Sequence, residues 1–430
     1  MKRLFPWLCS ALLIITMAGC GQAGKAVNEV EVWHWMTDRQ DVFEVLARQY
    51  EQQTGIKIKF SLFAPSDAYI QKVIAAAQAN VLPDIYGIID KRSIVASFIK
   101  AGYVADLTAD FQADNGAWEK ALFAKALDNN RFPDGNADKV KPGIYGVPID
   151  VMNIQMVYNR GLLKKAGISK VPATFREFLT AVDALKRVGI APFVTGFGET
   201  WLVDCFALNY AFNIMGEDKV MATFRGQVPY TDPDWIAVFA VFKTMAHEGA
   251  FMEGILTKGN KYAEQDFALE RAAFALEGSW GVNVYKSMNP DLDYGVVPLP
   301  AVKPQVPMRV WGGAGSSFVV NNASPHKAEA IAFMKWLTAG PQQVFLSRQT
   351  NNLPANREAG TGLPKILGDF AKMMDRSTHP TVWPLNEDPV VVEAFDKGIQ
   401  AIIIGDKTPE EISREVQAVK VRQMKKLQRP

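Results

Sequence analysis

The chain has 430 residues, 48% hydrophobic and 21% charged, enough to bury one large core or two smaller ones, which excludes a disordered polymer and a small stapled scaffold. Its 47 Lys and Arg against 45 Asp and Glu give a formal charge of +2, too weak a positive field to follow nucleic-acid phosphates, so no nucleic-acid partner is expected. Of the three cysteines, Cys9, Cys20 and Cys205, the first two fall in an N-terminal segment with a different purpose, leaving a disulfide-free core.

Lys2 and Arg3 lead an apolar run over residues 4–17, and Ala18 and Gly19 precede Cys20. Residues 1–19 read as a secretory signal peptide; the run is too short, and too interrupted by Pro6, Ser10 and Thr16, to span a membrane. The string Met17-Ala18-Gly19-Cys20 resembles a bacterial lipobox, with Met17 where Leu is more usual. That implies cleavage before Cys20, lipidation of Cys20 and attachment to the membrane through lipid, with residues 20–28 as a tether. Cys205 is then the one unmodified thiol in an oxidising compartment, where it is expected to be buried.

Residues 30–35 alternate as a strand does, residues 41–53 carry Phe43, Leu46, Ala47 and Tyr50 at helical spacing, and Gly55 stops that helix. Ile56, Ile58 and Phe60 alternate in a second strand, Ser66 caps a helix through Ala79, and residues 84–89 give a third strand. This βαβαβ order implies a parallel sheet covered by helices. Extended segments follow at residues 144–148 and 154–158. Thr174 and Glu177 form a capping-box pattern before a helix over residues 175–188. Thr231-Asp232-Pro233 starts a helix through His247, Ser324-Pro325 one ending near Gly340, and Thr408-Pro409 the last. A mixed α/β chain of this length exceeds one comfortable core, so two domains are expected.

No GxxxxGK[ST] loop, GxGxxG after a strand, HExxH, GxSxG or CxxC is present, and His34, His247, His326 and His379 lie far apart in the sequence. The Gly312-Gly313-Ala314-Gly315-Ser316 run lacks a following Lys, which favours close backbone packing over a phosphate cradle. Asp150, Glu199 and Asp204 are candidates either for a glycosidase pair or for hydrogen bonding to sugar hydroxyls. His34, beside two Trp residues, reads as a satisfied structural histidine in preference to a metal ligand.

Several stretches together resemble the bacterial extracellular solute-binding proteins of family 1, the maltose-binding-protein-like subunits of sugar ABC importers. They include EVEVWHWMTD, FEVLARQYEQQTGIKIKF, AAAQANVLPDIYGI, KPGIYGVPIDVMNIQMVYNRGLLKKAGI, AAFALEGSWGV, YGVVPLP, GGAGSSFVVNNASPHKAEAIAFMKWLTAGPQQ and NNLPANREA. Their order and spacing cover nearly the whole mature chain. The resemblance implies an α/β, two-lobed periplasmic-binding-protein type II fold, each lobe a sheet flanked by helices, with the ligand in the cleft between lobes. Lobe 1 would comprise residues 29–150 and 301–352, and lobe 2 residues 151–300 and 353–430, joined by crossings at 150–153, 297–300 and 352–356.

Carried over segment by segment, the resemblance offers Trp33, His34, Trp35, Asp38, Asp90, Lys91 and Arg92 from lobe 1. From the first crossing and lobe 2 it offers Asp150, Met152, Asn153, Glu199, Trp201, Asp204 and Trp280. Gly312 and Gly313 after Trp311 would let backbone approach the ligand, and Trp383 would be a late aromatic contact. Met152 and Lys91 stand where the maltose-type pattern has acids, which disfavours maltose itself.

A pyranose shows apolar C–H faces and a rim of hydroxyls, so its cleft needs flat aromatics with Asp, Asn, Glu or Lys around them, and the candidate set has both. Trp118, Trp235 and Trp336 fall within helical patterns and are assigned to packing, whereas Trp33, Trp35, Trp201, Trp280 and Trp383 fall at element ends or in loops. The leading expectation is a monomeric, lipid-anchored binder on the extracytoplasmic side of the membrane. It would have no cofactor, metal or catalytic role, and would deliver a sugar, an oligosaccharide, to ABC permease subunits. Two alternatives stay open: a binder of a polyamine, organophosphate or peptide, and an enzyme acting on polysaccharide through a carboxylate pair.

Overall fold

The computed structural model describes residues 29–64, 66–88, 92–136, 138–360, 363–378 and 387–427. Its first sheet grows from the strand Glu29–His34, where Val30, Val32 and His34 alternate inward. The helix Gln40–Thr54 returns over that face through Phe43, Leu46, Ala47 and Tyr50 and ends at Gly55 with φ +75°, a left-handed conformation that costs glycine little. Strands Lys57–Leu62 and Ile85–Ile88 lie parallel on either side of the first strand, and Ser317–Val320 and Val147–Pro148 complete the sheet in antiparallel sense.

The second sheet has the order Tyr294–Val297, Asn153–Asn159, Ala272–Gly278, Ala191–Val194. Every residue of Ala272–Gly278 is buried, as a strand covered on both faces must be. Thr174 and Glu177 close a reciprocal capping box on Phe175–Arg187, and Asp232 caps Pro233–His247. The long helix Thr200–Phe224 was not legible in the sequence. It is buried without interruption from Leu202 to Ile214, so it shows no polar stripe, and Gly216 at φ +78° breaks it. Cys205 is buried within it. Trp235 is fully buried, Trp118 stacks on Phe111 at 3.9 Å, and Trp336 packs on Tyr50 at 5.1 Å.

The chain crosses between the two lobes through an antiparallel pair, Asp150–Val151 against Leu353–Pro354. The remaining crossing departs from expectation. Trp311–Gly312 pairs with Asn153–Asn159 in the second sheet, so the chain passes to the first sheet at residues 313–316, not at 297–300. Residues 301–312 therefore pack with lobe 2 and not lobe 1. Buried Asn213 holds them there: its Oδ1 accepts from the Val302 and Lys303 amides at 2.9 Å, and its Nδ2 donates to the Lys303 and Val306 carbonyls. Beyond the Leu353–Pro354 pairing the chain returns to lobe 1, where Ala355 packs in the core and Asn356 Nδ2 donates to the Thr338 carbonyl at 2.9 Å, and it joins lobe 2 later, by Leu367 and Phe370. Residues 355–360 thus stay with lobe 1. Among the described residues no helix is long and apolar enough to cross a membrane.

His34 ends the first strand with both ring nitrogens used inside lobe 1. Nδ1 accepts from the Met36 amide at 3.2 Å and Nε2 donates to Gln40 Oε1 at 2.7 Å. Burial, with a further push from Arg39, lowers its pKa from 6.5 to about 4. A group whose folded pKa is depressed contributes stability above its unfolded value and loses it as pH falls towards the folded one. Between pH 6.5 and 5 the parent should lose about 2 kcal/mol more unfolding free energy than His34→Gln, at about 1.4 kcal/mol per pH unit. Urea titrations at the two pH values measure this, and equal losses in both proteins would contradict the neutral assignment.

Candidate functional site

The loop that follows the first strand is folded back by His34 and by the Arg39 amide donating to the Met36 carbonyl at 3.3 Å. Arg39 is thereby turned inward, with a side chain only 8% exposed, and pairs with Asp38 and with Asp150, itself 5% exposed. Asp150 also accepts from the Ser316 amide, and Asp38 accepts from Asn352 Nδ2 at 3.1 Å. One loop thus grips three segments of the junction between the lobes. A Cβ at Gly315 would lie 2.0 Å from Asp150 Oδ1, so this close approach requires glycine.

The charges follow from that geometry. Burial pushes the Asp150 carboxyl up against the pull of Arg39 and the Ser316 N–H. Burial would also raise Asp38, but Arg39 and the Asn352 hydrogen bond outweigh it and hold the carboxyl below its usual range. Burial works against the Arg39 charge too, and the two carboxylates more than offset it.

Trp35 leaves the strand on the face opposite His34 and packs on Tyr69 at 5.4 Å. Gly87 on the neighbouring strand makes room for it, since a Cβ there would fall 2.4 Å from the indole. Lobe 2 repeats the device: a Cβ at Gly278 would lie 2.1 Å from Trp280. Trp280 precedes the helix Gly281–Met288, and exposed Trp201 packs on it with centroids 6.0 Å apart. Between the lobes lies a cavity of about 380 Å³. Lobe 1 contributes Trp35, Met36, Thr37, Asp38 and Arg39; the crossings contribute Asp150, Met152, Gly315, Ser316 and Asn352; lobe 2 contributes Lys261, Trp280, Asn283 and Val284. Among the described residues its two acids and two cations balance.

Of the residues expected at the site, Trp35, Asp38, Asp150, Met152 and Trp280 line this cavity, with Trp201 beside Trp280. Others point elsewhere. Trp33 packs on Phe63 at 5.2 Å under the Lys72 ammonium, and His34 faces the lobe 1 core. Asn153 is buried and donates to the Phe370 carbonyl at 3.0 Å. Asp204 is buried in the long helix, where its charge raises the carboxyl of Asp396 in addition to the effect of burial. Trp311 belongs to the lobe 2 core. Gly312 and Gly313 admit the crossing strand in place of a ligand: Gly313 N donates to the Met152 carbonyl at 2.8 Å, and a Cβ at Gly312 would sit 2.4 Å from that oxygen. Glu199 is taken by the Trp201 indole at 2.9 Å and the Asn260 amide at 2.7 Å. Arg92 opens the helix Arg92–Lys100, while Asp90, Lys91, Trp383 and Cys20 lie outside the described residues.

Sequence reasoning missed Arg39, Lys261, Asn283 and Ser316. Arg39 stands directly after Asp38, and Ser316 ends the glycine run, so both lay within view. Lys261 and Asn283 sit on helices with nothing around them to separate them from solvated side chains. A larger hollow of about 550 Å³ lies at the far end of the Asn153–Asn159 strand, lined by Tyr158, Arg160 and Lys164 among others, all from lobe 2. Among the described residues no group of three or more His, Cys, Asp or Glu side chains could hold a metal ion.

Removing Arg39 leaves Asp150 buried without its counter-charge, a change that costs about 3–5 kcal/mol at buried pairs. Arg39→Met should lower the unfolding free energy by that order in urea titration. A loss below about 1 kcal/mol would show that the pair is not the buried anchor described.

The sequence profile described as Bacterial extracellular solute-binding protein matches residues 35–344. The chain is 22% identical to an uncharacterised ABC transporter extracellular-binding protein of Pyrococcus horikoshii, over 96% of this chain and 94% of that one. It is 23% identical to the melibiose/raffinose/stachyose-binding protein MelE of Bacillus subtilis, over 86% and 83%. A solved chitin oligosaccharide binding protein superposes with a TM-score of 0.75 at 19% identity, covering 92% of this chain and 98% of that one. With the two lobes and the interlobe cleft in place, the chain is a member of the bacterial extracellular solute-binding protein family.

Proposed function

We propose that this chain captures a neutral sugar, an oligosaccharide, in the interlobe cleft and hands it to the permease of an ABC importer while anchored outside the membrane through lipid on Cys20. The observation that carries this reading is the single cavity to which Trp35 and Trp280 contribute from different lobes, with Thr37, Asp38, Lys261 and Asn283 between them. Indole faces suit pyranose C–H faces, and the polar side chains suit hydroxyls. Balanced charge disfavours an organophosphate or a polyamine, each of which wants an excess of the opposite sign. The sugar specificities named for the melibiose/raffinose/stachyose-binding and chitin-oligosaccharide-binding relatives support the same class. Asp38 and Asp150 are both engaged by Arg39, an arrangement suited to holding a shape more than to exchanging protons, which favours binding over turnover.

A ligand that touches both lobes binds better when the cleft is shut, and only that differential affinity can shift the open–closed balance. The junction segments at residues 150–151, 313–316 and 353–354 are those about which the lobes would close.

A thermal-shift screen with maltose, raffinose, stachyose, chitobiose and spermidine tests the ligand class. A true ligand at about 100 times its Kd adds roughly 2.7 kcal/mol of stability. Stabilisation by a sugar is expected; stabilisation by spermidine alone, or release of sugar product, would overturn the reading. For the responding sugar, Trp280→Ala should weaken binding about 30-fold, the equivalent of about 2 kcal/mol. Unchanged affinity in titration calorimetry would return Trp280 to a packing role. Cys20→Ala should leave the protein in the soluble fraction or as unprocessed precursor, and an unmodified Cys20 in the intact mass of membrane-bound protein would refute the anchor.

A further inference from the structure

The indoles of Trp201 and Trp280 stand on different elements and pack on each other, and the atoms beneath Trp201 form one connected network that reaches the cleft. The Trp201 Nε1–H donates to Glu199 Oε2 at 2.9 Å, and the Trp280 ring lies against that of Trp201 with centroids 6.0 Å apart. Asn260 joins the two acids: its amide N–H donates to Glu199 Oε1 at 2.7 Å and its Nδ2 donates to Glu264 Oε1 at 2.8 Å. Lys261, exposed to the cleft, closes the other side of Glu264 at 2.8 Å.

The backbone is shaped around this network. The loop before the long helix and the loop before the helix Asn260–Ala268 approach so closely that a Cβ at Gly196 would lie 2.5 Å from the Asn260 nitrogen. At Gly198 it would lie 2.8 Å from the Lys258 oxygen, and the Gly198 amide donates to that oxygen at 3.0 Å. Both positions exclude any side chain, and their effect is to bring Glu199 within reach of Asn260.

We infer that Glu199 and Asn260 are positioning residues for the ligand platform, clasping the Trp201 indole in place against Trp280. An indole has a single N–H and no acceptor, so engaging it from below fixes the ring's orientation and leaves its face free for a sugar. A platform ordered before the ligand arrives spares the ligand the ordering cost of two large side chains. Glu199 therefore acts on the ligand through Trp201, not by touching it. This inference rests on the sugar-binding reading for its consequence, but the clasp itself is observable without any ligand.

The test uses near-ultraviolet circular dichroism of the ligand-free protein, in which two indoles 6.0 Å apart give a coupled tryptophan band that Trp201→Phe abolishes. Asn260→Asp keeps the side-chain shape but sets a second carboxylate against Glu264, displacing the backbone amide that holds Glu199. Glu199→Ala acts at an exposed position, where folding is not at risk. Both should lose the coupled band while the far-ultraviolet spectrum stays parental, and Glu199→Gln, which keeps an acceptor for the indole, should restore it. With whichever of maltose, raffinose, stachyose or chitobiose binds the parent, Asn260→Asp and Glu199→Ala should bind about tenfold more weakly. A parental band in both variants would overturn the inference, as would a Glu199→Gln spectrum as depleted as that of Glu199→Ala. If no sugar binds the parent while the band behaves as expected, the clasp stands and the sugar reading fails.

Discussion

A single buried guanidinium organises the junction of the two lobes. Arg39 reaches Asp150 on the first crossing, while Asp150 takes the Ser316 amide of the second and Asp38 takes the side-chain amide of Asn352, next to the strand Leu353–Pro354. Each contact is local, but together they hold three chain segments against one loop of lobe 1. Arg39 remains charged throughout the accessible pH range, so the junction keeps its counter-charges only if both acids stay in place. Buried pairs of this kind add little stability relative to a hydrophobic replacement, yet breaking one is costly. What the pair supplies is a defined geometry at the base of the cleft.

That geometry decides what the cleft presents. With Arg39 turned inward and its charge spent on Asp38 and Asp150, the cavity offers aromatic faces and hydroxyl-matching polar groups without a net field. Lys261, tied to Glu264, repeats the arrangement on the lobe 2 side. Trp35 and Trp280 are each admitted to the cavity by a glycine, Gly87 beneath Trp35 and Gly278 beneath Trp280. The walls are built on strand ends and helix starts, which are stiff, and the lobes are joined only by short segments. Rigid walls on a bendable junction allow a ligand to change the distance between lobes without remodelling either one.

Much of this was legible in the sequence wherever a local rule speaks. The strand–helix–strand order of lobe 1, the Thr174–Glu177 capping box and the Asp232-Pro233 helix start all rest on near neighbours. The helix Thr200–Phe224 was not, because a segment buried on all sides has no periodicity to read. Nor could local rules place residues 301–312, which follow lobe 2 because of one buried asparagine, Asn213, nearly ninety residues earlier in the chain. The site divides along the same line. Trp35, Asp38, Asp150 and Trp280 were marked by segments with a characteristic residue order. His34 and Asn153 were marked by the same segments, yet alternation along the strand turns His34 into the core, and Asn153 bonds to the Phe370 carbonyl. Lys261 and Asn283 reach the cavity by folding alone.

The most direct measurement is a crystal structure of the protein with the sugar that stabilises it most. A pyranose ring is expected in the interlobe cavity, in contact with Trp35 of one lobe and Trp280 of the other, with Arg39 still paired to Asp150. A sugar bound instead in the hollow beside Tyr158 and Arg160, touching lobe 2 alone, would contradict this expectation.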